Sequence, residues 1–386
     1  MSEDVKSPSV ARATTNVARI GVLRLTDSAP AIVAHEFGFF ADEGLDAKLS
    51  VEPSWANVAD KLAHGALDAA VILPPLALAM ALGLRGPTEP LIVPYCVSLG
   101  GNTITLRKDV ATGLSRNAAG VVARLREIGA EATLGVVHDF STHSLLLRYW
   151  LAAAGAIAER DYRLVVVPPA RTVEALETAR IVGFCAGAPW GEVARRAGAG
   201  STVAHSDDVW QSAPEKCLAV RESFAAEAPD RMAGMLRALY RAAQFCDAPE
   251  NSTYVAALLS RRRYVGVDSH AILSSLSGGP TGSNTSRFLK HAATFPWRSH
   301  ALWFLAQMRR WGLISPDADL KAAARLYRPD LYAAALAPVG APIPASDAKI
   351  EGEHREDWLL PASPAPIAMR ADAFCDGALF DPASVA

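Results

Sequence analysis

Cysteine is scarce in this chain of 386 residues: Cys96, Cys185, Cys217, Cys246 and Cys375 are scattered, with no C-x-x-C pair. An odd, dispersed set excludes a disulfide framework and a thiolate zinc site, and it suits a reducing compartment. Charge of one sign is also missing. Lys and Arg number 38 against 40 Asp and Glu, a net charge of −2, which removes any whole-surface attraction to nucleic acid or anionic membrane. The longest apolar run, Ala69–Leu84, is interrupted by Pro74-Pro75 and is too short to span a bilayer. Residues 1–17 are polar and mixed in charge. Without an apolar core of about 7–15 residues they read as a disordered N-terminus and no secretory signal. The expectation is a soluble, cytoplasmic protein.

Catalytic signatures are absent too: there is no G-x-x-x-x-G-K-[ST], G-x-S-x-G or H-E-x-x-H. Ser277-Gly278-Gly279-Pro280-Thr281-Gly282-Ser283 is glycine-rich, but without a lysine or a preceding strand it reads as a flexible loop. Arg261-Arg262-Arg263 reads as a solvated helix end. Cys217 beside Lys216 has no acid–base orienter and is not taken as a nucleophile.

What is present is a large core. Half the residues, 51%, are hydrophobic, and the length allows two domains at about 150 residues each. Thr133–Gly191 alternates strand and helix: an apolar strand, a helix Thr142–Ala154, strand Leu164–Val167, a short helix, strand Ile181–Cys185. Strands separated by helices pair in parallel and present ligands at their carboxyl ends. Ser141 is placed to cap the helix that Gly155 ends, so His143 sits in its first turn, beside unpaired N–H groups and the positive dipole end. That is a place for a small anion. The plainer readings are a paired or solvated histidine at a helix start, and Trp190 in the core.

Taken in order, residues 18–104 form a first lobe around one open α/β sheet. Trp55 falls in a loop after strand Ala47–Val51, and Pro74-Pro75 opens a helix. Residues 105–215 form a second lobe. Residues 216–336 are a mainly helical segment packed back on the first, with apolar spacing at Met232, Met235, Leu236, Leu239 and Tyr240. Residues 337–386, rich in Pro and Ala, wrap the surface. The strand ends carry Thr26, Asp27, Gly101, Pro189 and Trp190 as candidate cleft-lining residues.

Thr26-Asp27-Ser28-Ala29-Pro30, Gly38-Phe39-Phe40, Trp55, Arg148-Tyr149-Trp150-Leu151-Ala152-Ala153, Val166-Val167-Pro168-Pro169, Gly183-Phe184-Cys185, Pro189-Trp190 and Pro214-Glu215-Lys216 together resemble the nitrate- and bicarbonate-binding receptors of bacterial ABC importers. The resemblance covers about residues 18–335. It implies a two-lobed type II periplasmic-binding-protein fold: two open α/β sheets around a ligand cleft, with a mainly helical C-terminal part. In the nitrate receptors of that family a tryptophan, a side-chain amide, a histidine and a lysine hold the anion. By motif these fall on Trp55, Asn102, His143 and Lys216. The bicarbonate receptors carry an acidic residue and calcium at the lysine position, so Lys216 implies a metal-free monovalent anion.

Nitrate accepts hydrogen bonds and donates none, so such a site needs donors: the Lys216 ammonium, N–H groups of His143 and Asn102, and the Trp55 indole. The resemblance implies no enzyme, no cofactor and no metal, only nitrate or nitrite as ligand. A cytoplasmic branch of the family senses nitrate and nitrite by holding an ANTAR-type, NasT-like antiterminator until the anion arrives, with no nucleic acid or membrane bound directly. That is the first expectation; an importer receptor is the second. An enzyme resembling the thiamine-pyrimidine synthases is the third, although their cysteine-rich iron motif is absent.

Overall fold

The computed structural model describes residues 17–86, 89–276 and 286–385. The N-terminal segment 1–16 and the glycine-rich loop 277–283 lie outside the described residues. Among those described, no helix is long and apolar enough to cross a membrane.

Ten strands build two sheets. They are β1 (Val17–Val22), β2 (Asp46–Val51), β3 (Ala69–Ile72), β4 (Leu91–Leu99), β5 (Asn102–Arg107), β6 (Thr133–Val136), β7 (Arg163–Val166), β8 (Gly183–Gly187), β9 (Gly200–His205) and β10 (Pro214–Arg221). The first sheet has the order β2-β1-β3-β10-β4 and the second β7-β6-β8-β5-β9. β1, β2 and β3 are parallel, as are β6, β7 and β8, because helical crossovers separate them. β3 and β4 are buried along their whole length, as strands covered on both faces must be. Pro94 lies within β4, which is tolerated because β4 is a sheet edge. The C-terminal segment covers that edge: Val93 N donates to Leu326 O at 2.7 Å and Cys96 N to Thr294 O at 2.9 Å.

The two sheets share two chain crossings. The expected boundary at residue 104 falls inside β5, a strand of the second sheet; the chain leaves the first sheet at Gly100-Gly101. It returns through residues 206–213, and β10 inserts antiparallel between β3 and β4. The crossings lie side by side, with Gly100 N donating to Ala213 O at 2.8 Å. Gly101 has φ +87°, and a Cβ there would stand 2.5 Å from Ser286 Oγ, so only glycine fits this turn without strain.

Trp55 is not in a loop. It opens the helix Trp55–Ala63, whose start is fixed by Ser54 Oγ accepting from Asn57 N at 3.3 Å. The helix Pro229–Asp247 buries Met232, Met235, Leu236, Leu239 and Tyr240 against Ile32 and Val33 of the helix Ala29–Glu36, in one core with Ile20 and Val22 of β1. Arg261 and Arg263 are paired within the chain, both to Glu36. Beyond residue 337 two short strand pairs run over the surface. Glu351 anchors them, fully buried between Lys349 and Ser299, whose Oγ donates at 2.6 Å. Tyr149 Oη ties Asp376 to the second lobe at 2.9 Å.

Candidate functional site

Both chain crossings deliver polar residues to the floor between the lobes. Asn102 follows the first crossing; Glu215 and Lys216 follow the second. In a regular strand those two neighbours would point to opposite faces. Here the pairing of β10 with β4 shifts register on either side of Lys216, a bulge that re-aims side chains, and both charged ends meet.

Lys216 is 1% exposed. A buried ammonium is costly unless paired, and this one has two carboxylates, Asp27 Oδ2 at 2.8 Å and Glu215 Oε1. Its Nζ lies 5.5 Å from the centroid of the Trp55 ring, within cation–π range. Burial pushes the Lys216 pKa down, but the charges of Asp27 and Glu215 outweigh it and the pKa ends above the ordinary value. Burial and the charge of Glu215 lift Asp27 above the ordinary carboxylate range, against the pull of Lys216.

His143 reaches the same point from the helix Thr142–Ala153. Ser141 caps that helix, its Oγ accepting from Ser144 N at 3.0 Å. His143 Nε2 lies 3.3 Å from Glu215 Oε1, and neither ring nitrogen has an aligned hydrogen bond within the protein. Burial, and then the charge of Lys216, holds its pKa well below 6.5, so the ring is neutral near pH 7, with one N–H donor and one acceptor. Asn102 Nδ2 donates to Glu215 Oε2, while its Oδ1 is buried without a partner. The Trp55 Nε1 is likewise buried and unpartnered. Gly187 forms the wall between them: a Cβ there would stand 3.5 Å from both Asn102 Oδ1 and His143 Nε2.

The structure therefore brings Trp55, Asn102, His143 and Lys216 together. It also corrects the donor-only expectation, since Asp27 and Glu215 add two acceptors that compensate the lysine. Of the cleft-lining candidates, Asp27 is part of the site. Thr26 and Trp190 instead seal the lobes, Thr26 N donating to Ala188 O at 2.9 Å and Trp190 Nε1 to Arg24 O at 3.2 Å, while Gly101 extends the β5–β8 ladder, its O accepting from Ala188 N at 2.9 Å. Pro189 caps the helix Trp190–Arg196 in that seam. Cys217 turns away, its Sγ donating to Ile72 O at 3.7 Å, and burial pushes its thiol pKa well up. Glu215 was legible only as a motif letter beside the lysine; the bulge that aims it comes from a partner strand far away in sequence. Asp27, Trp55, Asn102, His143, Glu215 and Lys216 are each at most 5% exposed, so exchange of any ligand requires the lobes to part. Among the described residues no three His, Cys, Asp or Glu side chains converge as a metal-ligand set.

Two lobes, each built on a mixed five-stranded sheet and closed over a buried site with one cation and several unpartnered polar atoms, define the two-lobed periplasmic-binding-protein class of fold. The chain belongs to the NMT1-like family, whose model matches residues 11–260. It is 34% identical over 354 residues to the nitrate import ATP-binding protein NrtC of Synechocystis sp. PCC 6803, covering 88% of this chain and 52% of that protein. It is 30% identical to the nitrate/nitrite binding protein NrtA of Synechococcus elongatus, covering 86% and 80%. The chain spans about half the length of the first curated relatives it matches. Among solved structures, the periplasmic nitrate-binding protein NrtA from Synechocystis PCC 6803 superposes with a TM-score of 0.83 at 27% identity, covering 96% of each chain. The alkanesulfonate-binding protein SsuA from Xanthomonas axonopodis shares the fold, with a TM-score of 0.58 at 15% identity over 81% of this chain and 95% of that one. The NrtA relatives and the solved structures that share this fold are named as solute-binding proteins, not enzymes.

Proposed function

We propose that this chain binds nitrate or nitrite between its lobes and works as a cytoplasmic sensor resembling NasS, releasing an ANTAR-type antiterminator when the anion arrives. The observation that carries the anion reading is the convergence of Lys216, His143, Asn102 and Trp55 on one buried interlobe point. The names of NrtA and NrtC supply the ligand class. Five free cysteines, four of them buried, favour a reducing compartment. For the release, the anion must prefer the closed lobes and the partner the open ones, since a ligand moves an equilibrium only by its differential affinity.

Calorimetric titration with nitrate tests the binding, with micromolar affinity, about −8 kcal/mol, as its upper bound because part of the bond energy offsets lobe closure. Lys216→Ala abolishes it. Capture of the antiterminator on immobilised receptor, lost on adding nitrate, tests the sensor role. A receptor for an ABC importer is the second reading, favoured by its likeness to NrtA. Recovery of the native protein outside the cytoplasmic membrane, with no nitrate-sensitive antiterminator bound, supports it.

A further inference from the structure

The charges around Lys216 do not suit an anion as they stand. One ammonium and two carboxylates, Asp27 and Glu215, leave one net negative charge on a cluster that is nearly inaccessible to water. His143 adds none, being neutral. A monovalent anion entering this cluster raises the negative charge to two, with no solvent to screen it.

The two carboxylates are not equivalent. Glu215 has both oxygens engaged, Oε1 by Lys216 and Oε2 by Asn102 Nδ2, and its backbone carbonyl accepts from Thr142 Oγ1 at 3.3 Å. Asp27 has one oxygen on Lys216, while its Oδ1 is buried with no partner. From these bonds we infer that the cleft takes its anion together with one proton, which is added to the carboxylate of Asp27. The inference rests on the anion reading above. The balance is simple: anion and proton both come from solvent, the proton forms an O–H bond on Asp27, and Lys216 keeps its own proton and turns its charge to the anion.

The groups facing Asp27 are Lys216 and Glu215 from β10, with His143 behind Glu215 on the helix Thr142–Ala153; the thiol of Cys185 on β8 is pushed up by burial and stays neutral. The Ser275 hydroxyl on the helix Ser269–Leu276 touches Thr26, not Asp27. Burial already lifts Asp27 toward protonation, and an anion beside Lys216 weakens the one charge that opposes this. The bound-state pKa of Asp27 therefore exceeds the free-state one. Affinity is full below the free-state value and is lost as pH rises toward the bound-state value.

Calorimetry of nitrate binding in phosphate and in Tris, whose ionisation heats differ, reads the protons taken up. The expected result is about one proton per nitrate and a Kd that rises about tenfold per pH unit across the interval between the free-state and bound-state pKa of Asp27. Asp27→Asn binds with no proton uptake and a flat profile. In the native protein, infrared difference spectra show a protonated-carboxyl C=O band appearing on nitrate addition, which needs no variant to fold. Nitrate binding without proton uptake, or an unchanged slope in Asp27→Asn, overturns the proton coupling alone. No nitrate binding at any pH overturns the anion reading and the coupling with it.

Discussion

Glu215 and Lys216 are adjacent in the chain, yet their charged ends touch each other at the floor of the interlobe site. Successive residues on a strand normally face opposite ways. The bulge against β4 brings them to the same side, so a cation and its counter-ion are built into one dipeptide. Asp27 closes the pair into a triad at 2.8 Å.

Removing the cation leaves two buried like charges side by side. Lys216→Met is expected to cost about 3–5 kcal/mol of stability near neutral pH, the range for breaking a buried ion pair. Part of that returns as pH falls and Asp27, already lifted by burial, takes up a proton. Chemical unfolding at several pH values checks both the loss and the recovery.

Ser141 holds the helix that carries His143. Ser141→Ala removes the hydrogen bond to Ser144 N and is expected to cost about 1 kcal/mol. Nitrate affinity drops severalfold because the imidazole is less well fixed. Unfolding midpoints and calorimetric titration separate the two effects, and Ser141→Thr, which keeps the cap, restores both.

The lobe seam depends in part on Trp190 Nε1 donating to Arg24 O at 3.2 Å. Trp190→Phe removes that bond, worth about 1 kcal/mol, and shifts the equilibrium toward open lobes. A Kd weakened about fivefold, with a larger radius of gyration by X-ray scattering for the unliganded protein, is the expected outcome.

Acid sensitivity has a specific anchor in the tail. Burial alone would raise Glu351, but Lys349 and then His300 outweigh it and lower its pKa from 4.5 to about 2. A carboxylate depressed on folding contributes stability that is fully present above the unfolded value and lost as pH falls through the folded one. The window therefore lies between about pH 4.5 and about pH 2, with on the order of 3 kcal/mol at stake. Glu351→Gln flattens that part of the acid-unfolding curve while lowering stability at neutral pH.

The fold was largely legible where the signals are local. Ser141 before an apolar helix, Pro74-Pro75 at a helix start and the strand–helix alternation of 133–191 all match the observed elements, because caps, proline and hydrophobic period act within a few residues. Trp55 starts a helix and not a loop because Ser54 caps it, an equally local signal. Trp55, Asn102, His143 and Lys216 were nominated by resemblance to a family, since they lie on four different elements and no spacing links them. Asp27 was legible only as a cleft-lining residue and Glu215 only as a motif letter. Their roles depend on a bulge and on a turn from the opposite end of the first lobe, and alternation along β10 argues against the first.

The amino-acid order by itself determined two α/β lobes, helix starts, buried strands and a chain without an excess charge, all consequences of side-chain chemistry acting on near neighbours. Only the tertiary structure decided that the chain crosses between sheets at Gly100-Gly101 and again before Pro214, and that two carboxylates close on Lys216. Strand pairing over more than a hundred residues and the exclusion of water set those distances and charges, and neither is a property of sequence spacing.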